Sequence, residues 1–565
     1  MKERGSLSKR KWLPLVALTL VLSLFLAACS GGNETTKPEK SGSGDDGKTE
    51  VKEEQVLNII DTAEIPTMDS IQGTDAVAFQ VMSEVFEGLY RLGENMTPVP
   101  GIAESHTVSE DGLVYTFKLR DAVWSNDAPV TAKDFVYSWQ KAVDPASASQ
   151  YAFIMGDIKN ANKINAGEIT DLNELGVKAE DDKTLVVTLE RPTPYFLSLT
   201  TFATFLPQNE EFRTAQGENY GLEVENLIYN GPFTLSEWKH EEGWVYSKNE
   251  KYWDKENVKL DTINVKVVKD PATAVSLYET GQIDRVGLSA EYVDKYSSDP
   301  NYKTYGEPTL FYLKLNQKSE SLANLDVRMA LNLAIDKEGL ADVILNNGSS
   351  AAYFAVPAEF VTHPETGEDF RAKHGDFNKT DKEKAAEHWK KGLEALGKEK
   401  VSIGYLTGDT EVAKKIDEYI KNQLESTLPG LTIELQQVPF KQRLELDEAM
   451  DYEIQNAGWG PDYQDAMTFS DLWLTDGGHN KMAYSNPEYD KLINDAKTTL
   501  AADPVKRFEA LQEAERILLE EDAALVPLYQ RGTAQLWQPY VKNVFVNSFG
   551  PDYSYKWAYI EGKAK

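Results

Sequence analysis

The sequence predicts an α/β protein with mixed sheets, and three observations carry that prediction. Short β-branched and aromatic runs recur, among them VYTFKL at Val114–Leu119 and TLVVTL at Thr184–Leu189, and runs of this length and composition form strands. Amphipathic helical stretches stand between them. No short period repeats along the chain, which sets aside solenoids and propellers.

The helices begin where local chemistry favours it. In Asp503–Ala524, Asp503 is a good N-cap and Pro504 falls at the first helical position, where a missing N–H costs nothing. Val505, Phe508, Leu511, Ile517 and Leu518 then form an apolar stripe, so one continuous helix is expected. Another follows Asn324, with Val327, Ala330, Leu331, Ala334 and Ile335 on one face.

The start of the chain is of a different kind. Lys2, Arg4, Lys9, Arg10 and Lys11 precede an uncharged apolar run, Trp12–Ala28. Its length is marginal for a membrane span, but it ends in Leu26-Ala27-Ala28-Cys29, with small residues placed for a signal peptidase. Leu-Ala-Ala-Cys resembles the bacterial lipobox, in which the cysteine is diacylated and becomes the new N-terminus. Residues 1–28 are therefore expected to be a lipoprotein signal peptide and Cys29 the site of lipid attachment. Two acyl chains hold a protein at a bilayer where one does not. This places the protein on the extracytoplasmic face of a bacterial cell membrane, in a monoderm. Residues 29–54 carry no aromatic and one aliphatic side chain, Val51, and are expected to form a disordered tether. Within it Gly42–Thr49 satisfies the phosphate-loop pattern, but without a flanking strand and helix, and with Asp45 and Asp46 inside, the match is compositional.

Composition narrows the function. The 565 residues leave room for two to four structural units. The net charge of −32 repels nucleic-acid phosphates and anionic headgroups, so neither is an expected partner. Cys29 is the only cysteine, which rules out a disulfide framework or a cysteine metal site. No two of the six histidines share the i, i+4 spacing of a zinc helix. There is no G-x-S-x-G elbow and no G-x-G-x-x-G after a strand. A non-enzyme with no metal and no cofactor is expected.

Several blocks, in order, carry a resemblance. They are Ala103–Arg120 running on through Val123-Trp124-Ser125 and Pro129–Trp139 to Val143-Asp-Pro145, then Leu175–Ala179, Pro194-Tyr-Phe196, Asn230–Leu235, Asn249–Asp254, Leu325–Leu331, Ala334-Ile-Asp336 and Ala457–Tyr463. Together they resemble the peptide-binding family of ABC-importer solute receptors, and among them its oligopeptide-binding members, over nearly all of Val56–Lys565. One departure is Asn126-Asp127, where the family has Asp-Gly; aspartate tolerates a left-handed turn better than most residues. The resemblance implies a two-lobed clamp, like periplasmic binding proteins. Residues 55–90, 204–308 and 532–565 would form the first lobe, 91–203 an inserted second domain, and 309–531 the second lobe. The chain would cross between lobes near Leu310–Leu315 and Val526–Tyr529, with Pro527 on an edge or crossover strand.

Such a receptor needs affinity that ignores side chains, which strand addition and capture of the α-ammonium provide. In Gly458-Trp459-Gly460-Pro461-Asp462-Tyr463 the small residues let a ligand backbone approach, and the resemblance assigns the ammonium to Asp462 of the W-x-x-D-Y motif. It also implies Phe440 as an aromatic stacking on a peptide side chain and Tyr151 as a cleft tyrosine. Asn456 departs from members that place an arginine three residues before the motif tryptophan to take the peptide carboxylate. That implies either tolerance of longer peptides or another way of holding the far end. The implied partners are oligopeptides, an ABC permease and ATPase complex, and the membrane through diacylglycerol on Cys29; a monomer is expected. Two alternatives stay open. The same fold takes nickel, haem, opines or oligosaccharides in relatives, and a receptor for signal peptides need not feed an importer.

Overall fold

The computed structural model describes residues 53–193 and 195–563. The expected signal peptide, Cys29 and nearly all of the tether lie outside the described residues. Among the described residues no helix is long and apolar enough to cross a membrane.

Three main sheets carry the molecule. In the first, Val56–Asp61, Thr262–Val267, Gly243–Lys248 and Phe233–Lys239 lie side by side, with Val56–Asp61 parallel to Thr262–Val267 and the rest antiparallel. The second is an antiparallel meander-like sheet of Ala103–Val108, Val114–Leu119, Thr184–Thr188 and Val177–Asp181, inserted between strands of the first. Its helix, Ala132–Val143, buries Phe135 and Trp139, and the Asp134 carboxylate accepts the Thr131 N–H at 2.7 Å to cap the start. The expected strands Val114–Leu119 and Thr184–Leu189 are present to within one residue. Asp127 adopts φ 71°, so the left-handed turn survives the exchange of Asp-Gly for Asn126-Asp127.

The third sheet has seven strands, ordered Arg285–Gly287, Leu525–Trp537, Tyr302–Leu315, Ile454–Trp459, Val401–Gly408 and Leu431–Val438, with Ser350–Ala351 on Leu525–Trp537. Its two long strands pair antiparallel almost end to end, and the register shifts between Gly306 and Leu310 and again between Phe311 and Tyr312. Gly532 stands opposite Gly306 at the first shift, and a Cβ on it would lie 2.0 Å from the Gly348 carbonyl carbon, so only glycine fits. Of the two settings expected for Pro527, the edge strand is not the one found: it lies in a long inner strand, and it is tolerated there because it pairs with Tyr312 at the second register shift, a bulge where a ladder hydrogen bond is already missing.

The helix after Asp503 also differs from expectation. Asp503 caps it and accepts from the Lys506 N–H, but the α-helix ends at Arg516 and Ile517–Glu521 continue as a π-helical turn. Ile517, Leu518 and Leu519 are all buried in this wider turn. The helix after Asn324 runs Leu325–Ala334 with the Asn324 side chain accepting from Val327 N, as expected.

One continuous buried cluster joins residues of 57–265 to Tyr312, Tyr463, Met467 and Trp473, and a separate cluster around Leu313, Leu331, Trp389, Ile403 and Ile420 fills the second half. The two halves face one another across the strand Ile454–Trp459 and the loop that follows it.

Candidate functional site

The strand Ile454–Trp459 has an unusual edge. On one side it pairs along its whole length with Tyr302–Leu315. On the other it meets Val401–Gly408 only at Ile454 and Gln455, leaving 456–459 unpaired. Backbone groups of an antiparallel strand point alternately to one neighbour and the other. The Asn456 carbonyl faces the open side, where it accepts from Arg443 Nη1 at 2.8 Å. The same alternation turns the N–H and C=O of Gly458 to that side. Gly458 is exposed, and a Cβ there would lie 2.9 Å from the Phe311 ring. Its missing side chain therefore serves two ends: it lets Phe311 pack and keeps the edge clear.

A cavity lies over this edge, walled by Thr74 and Gln150 from the first part of the chain and by Lys314, Arg443, Gly458, Trp459 and His479, among others, from the later part. An aromatic group closes one end. Tyr151 stacks on Trp459 at 6.1 Å between centroids, and His479 meets both rings edge-on at 4.7 and 4.9 Å. Burial pushes the His479 pKa down to about 3, so its imidazole is neutral, and its Nε2 has no partner among the described residues.

Asp462 sits behind this group rather than in the cavity wall. Gly460 and Pro461 turn the chain inward, and the carboxyl is 6% exposed. Its backbone N–H donates to Thr468 Oγ1 at 3.0 Å. Tyr151 approaches Oδ1 at 3.5 Å, the long limit of a hydrogen bond, and Oδ2 has no partner among the described residues. Burial raises the Asp462 pKa well above the carboxylate range, and the Tyr151 hydroxyl lowers it only in part. An under-satisfied buried carboxyl lacks a cationic donor.

The predicted residues thus divide. Asp462, Trp459, Gly458 and Tyr151 come together at one end of the cavity. Gly460 is exposed beside Thr309, and a Cβ there would be 3.1 Å from its hydroxyl. Tyr463 turns away, stacking on Tyr195 at 5.3 Å and lining a second cavity whose ion pairs, Arg191–Asp157, Lys497–Asp471 and Arg507–Asp465, are internally matched. Phe440 is half-buried at a helix start and meets Arg443, 5.1 Å from its ring, without walling the main cavity. His479, Arg443, Thr74 and Gln150 were not expected. They lie far apart in sequence with no shared spacing, and only the tertiary fold brings them together.

A family model for bacterial extracellular solute-binding proteins, family 5 (middle), matches residues 97–481. The chain belongs to that family. Among family 5 relatives, the dipeptide-binding protein DppE of Bacillus subtilis is 32% identical over 95% of this chain and 96% of its own length. The substrate-binding domain of an oligopeptide ABC transporter from Bacillus anthracis superposes with a TM-score of 0.89 at 48% identity, covering 90% of this chain and 99% of that one. Listeria monocytogenes OppA bound to peptide gives 0.87 at 45% identity, covering 90% and 100%. These neighbours are two-lobed, and so is this fold. The murein tripeptide-binding protein MppA of Escherichia coli scores 0.81, whereas an unliganded open form of MppA scores 0.56 at the same 28% identity. The lobes here are therefore drawn together, as the Tyr151–Trp459 and Tyr195–Tyr463 stacks across the cleft also require.

Proposed function

We propose that this chain is a lipid-anchored extracytoplasmic receptor that captures oligopeptides between its lobes and delivers them to an ABC importer. The observation that carries it is Asp462, a buried carboxyl with one oxygen unpartnered at the end of an open strand edge. A peptide laid on Gly458 adds a strand through groups every peptide has. Its α-ammonium then reaches Asp462 and supplies the missing donor in a charge-assisted bond. Nickel, haem or an oligosaccharide offers neither the backbone ladder nor the ammonium.

In this reading 55–90, 204–308 and 532–565 form one lobe, 91–203 an inserted domain and 309–531 the other lobe, with the chain crossing between lobes near Leu310–Leu315 and Val526–Tyr529. Phe440 borders a peptide side chain near Arg443, and Tyr463 braces the closed cleft against Tyr195. The Leu26-Ala-Ala-Cys29 segment supports acylation of Cys29 after removal of residues 1–28, and the receptor works as a monomer beside a permease and ATPase. Mass spectrometry of ligands released from purified protein tests the central part. Short peptides with free amino termini are expected; a chelate, sugar or haem in their place overturns it.

A further inference from the structure

Arg443 is the least satisfied charge in the cleft. Its guanidinium has five N–H donors, yet among the described residues its only hydrogen bond is from Nη1 to the Asn456 carbonyl, and Nε is buried with no partner. No carboxylate among the described residues pairs with it. The nearby acids are all engaged elsewhere. Asp447 takes the Lys314 ammonium on both oxygens at 2.9 Å, whereas Asp417 accepts from Gln437 Nε2 at 3.0 Å and Asp75 caps a helix through Ala78 N at 2.9 Å, each through one oxygen with the other unpartnered among the described residues, and neither forms an ion pair with Arg443. Burial lowers the Arg443 pKa, and the charges of Asp447, Asp417 and Asp75 offset this only in part. The side chain lines the same cavity as Gly458.

We infer that Arg443 is the receptor's carboxylate-binding residue: an anionic carboxylate of the ligand docks on its free N–H groups, at the opposite end of the open edge from Asp462. This rests on the peptide reading above and adds the second fixed point. Asn456 itself is uncharged, but its carbonyl holds the guanidinium in place, so the cation arrives from a neighbouring helix instead of from the strand. Trp459 to Asn456 is three residues of extended strand, about 10 Å, so a ligand of three or four residues spans from Asp462 to Arg443. A guanidinium offers a planar fork that fits a carboxylate in two parallel bonds. The carboxylate is either the peptide's C-terminus or an acidic side chain at that place.

Calorimetry with protein freed of co-purified ligand tests this, using a tetra-alanine free acid, its C-terminal amide, and the amide with glutamate at the last position. Wild type is expected to bind the free acid about 10- to 100-fold more tightly than the amide, the range of one charge-assisted bond pair. In Arg443→Gln that difference should vanish, with an unchanged thermal melting transition showing the variant to be folded. Arg443→Lys, which keeps the charge without the fork, should recover part of it. If only the glutamate amide gains from Arg443, the source is a side chain and the residue's role stands. If the acid, the amide and the glutamate amide bind equally, or their differences persist in Arg443→Gln, the inference is wrong although peptide capture stands. If none of the three binds wild type, the peptide reading falls with it.

Discussion

Asp462 illustrates a residue that weakens its own protein in order to bind. A carboxyl held above its ordinary pKa binds more protons folded than unfolded, so its contribution to stability is present below about pH 4 and is lost as pH rises toward the folded value. At neutral pH the empty cleft holds an unpaired acid in a poor solvent. Asp462→Asn should therefore raise the melting temperature of ligand-free protein by roughly one to a few degrees, measured by calorimetry at pH 7. A loss of several degrees would mean that the carboxylate is a structural turn residue. The same shift couples binding to protons. An arriving ammonium favours the ionised carboxylate, so peptide affinity should strengthen as pH rises through the Asp462 titration and fall again above about pH 8, where the α-amino group of the ligand loses its proton. A flat profile from pH 4 to 7 would contradict this. The sequence motif pointed to Asp462, whereas the unpartnered atoms of His479 and Arg443 had no local signature, because what marks them is the absence of a partner in three dimensions.

At the scale of elements, the strand Ile454–Trp459 binds through its open edge rather than through a pocket of side chains. Replacing the N–H of the ligand residue opposite Gly458 by N-methyl removes one ladder bond and adds bulk against the strand. Affinity should drop about tenfold or more, whereas exchanging that residue's side chain among alanine, serine and valine should change it little. Equal sensitivity to both changes would argue for side-chain pockets over strand addition. Local pattern was a good guide to such elements where one period holds throughout, as at Val114–Leu119 and Leu325–Ala334. It failed where packing overrides the period. The π-helical turn at Ile517–Glu521 buries three successive residues, and Pro527 survives in an inner strand through a bulge that no single strand's sequence announces.

At the scale of the whole molecule, Tyr302–Leu315 and Leu525–Trp537 pair within one sheet with register shifts at Gly306–Leu310 and Phe311–Tyr312, and in the reading proposed above the lobes hinge where these two strands cross, near Leu310–Leu315 and Val526–Tyr529. Scattering should show a smaller radius of gyration with peptide than without; an unchanged radius would count against a clamp. Cys29→Ala should release the protein from membranes into the aqueous fraction, and a variant that still pellets and keeps residues 1–28 would refute acylation. In the lobe assignment proposed above closure also assembles the site, since Tyr151 and the Asp462 it approaches stand on different lobes. The most direct test is therefore calorimetry on four combinations, wild type and Asp462→Asn, each with a free-amino peptide and its N-acetyl form. A buried charge pair cut on one side loses about 3–5 kcal/mol, so each single change should weaken binding by roughly two or more orders of magnitude. Both changes together should cost clearly less than the sum, because each removes the same interaction. Losses that simply add would contradict the assignment of Asp462 as the anchor of the peptide's amino terminus.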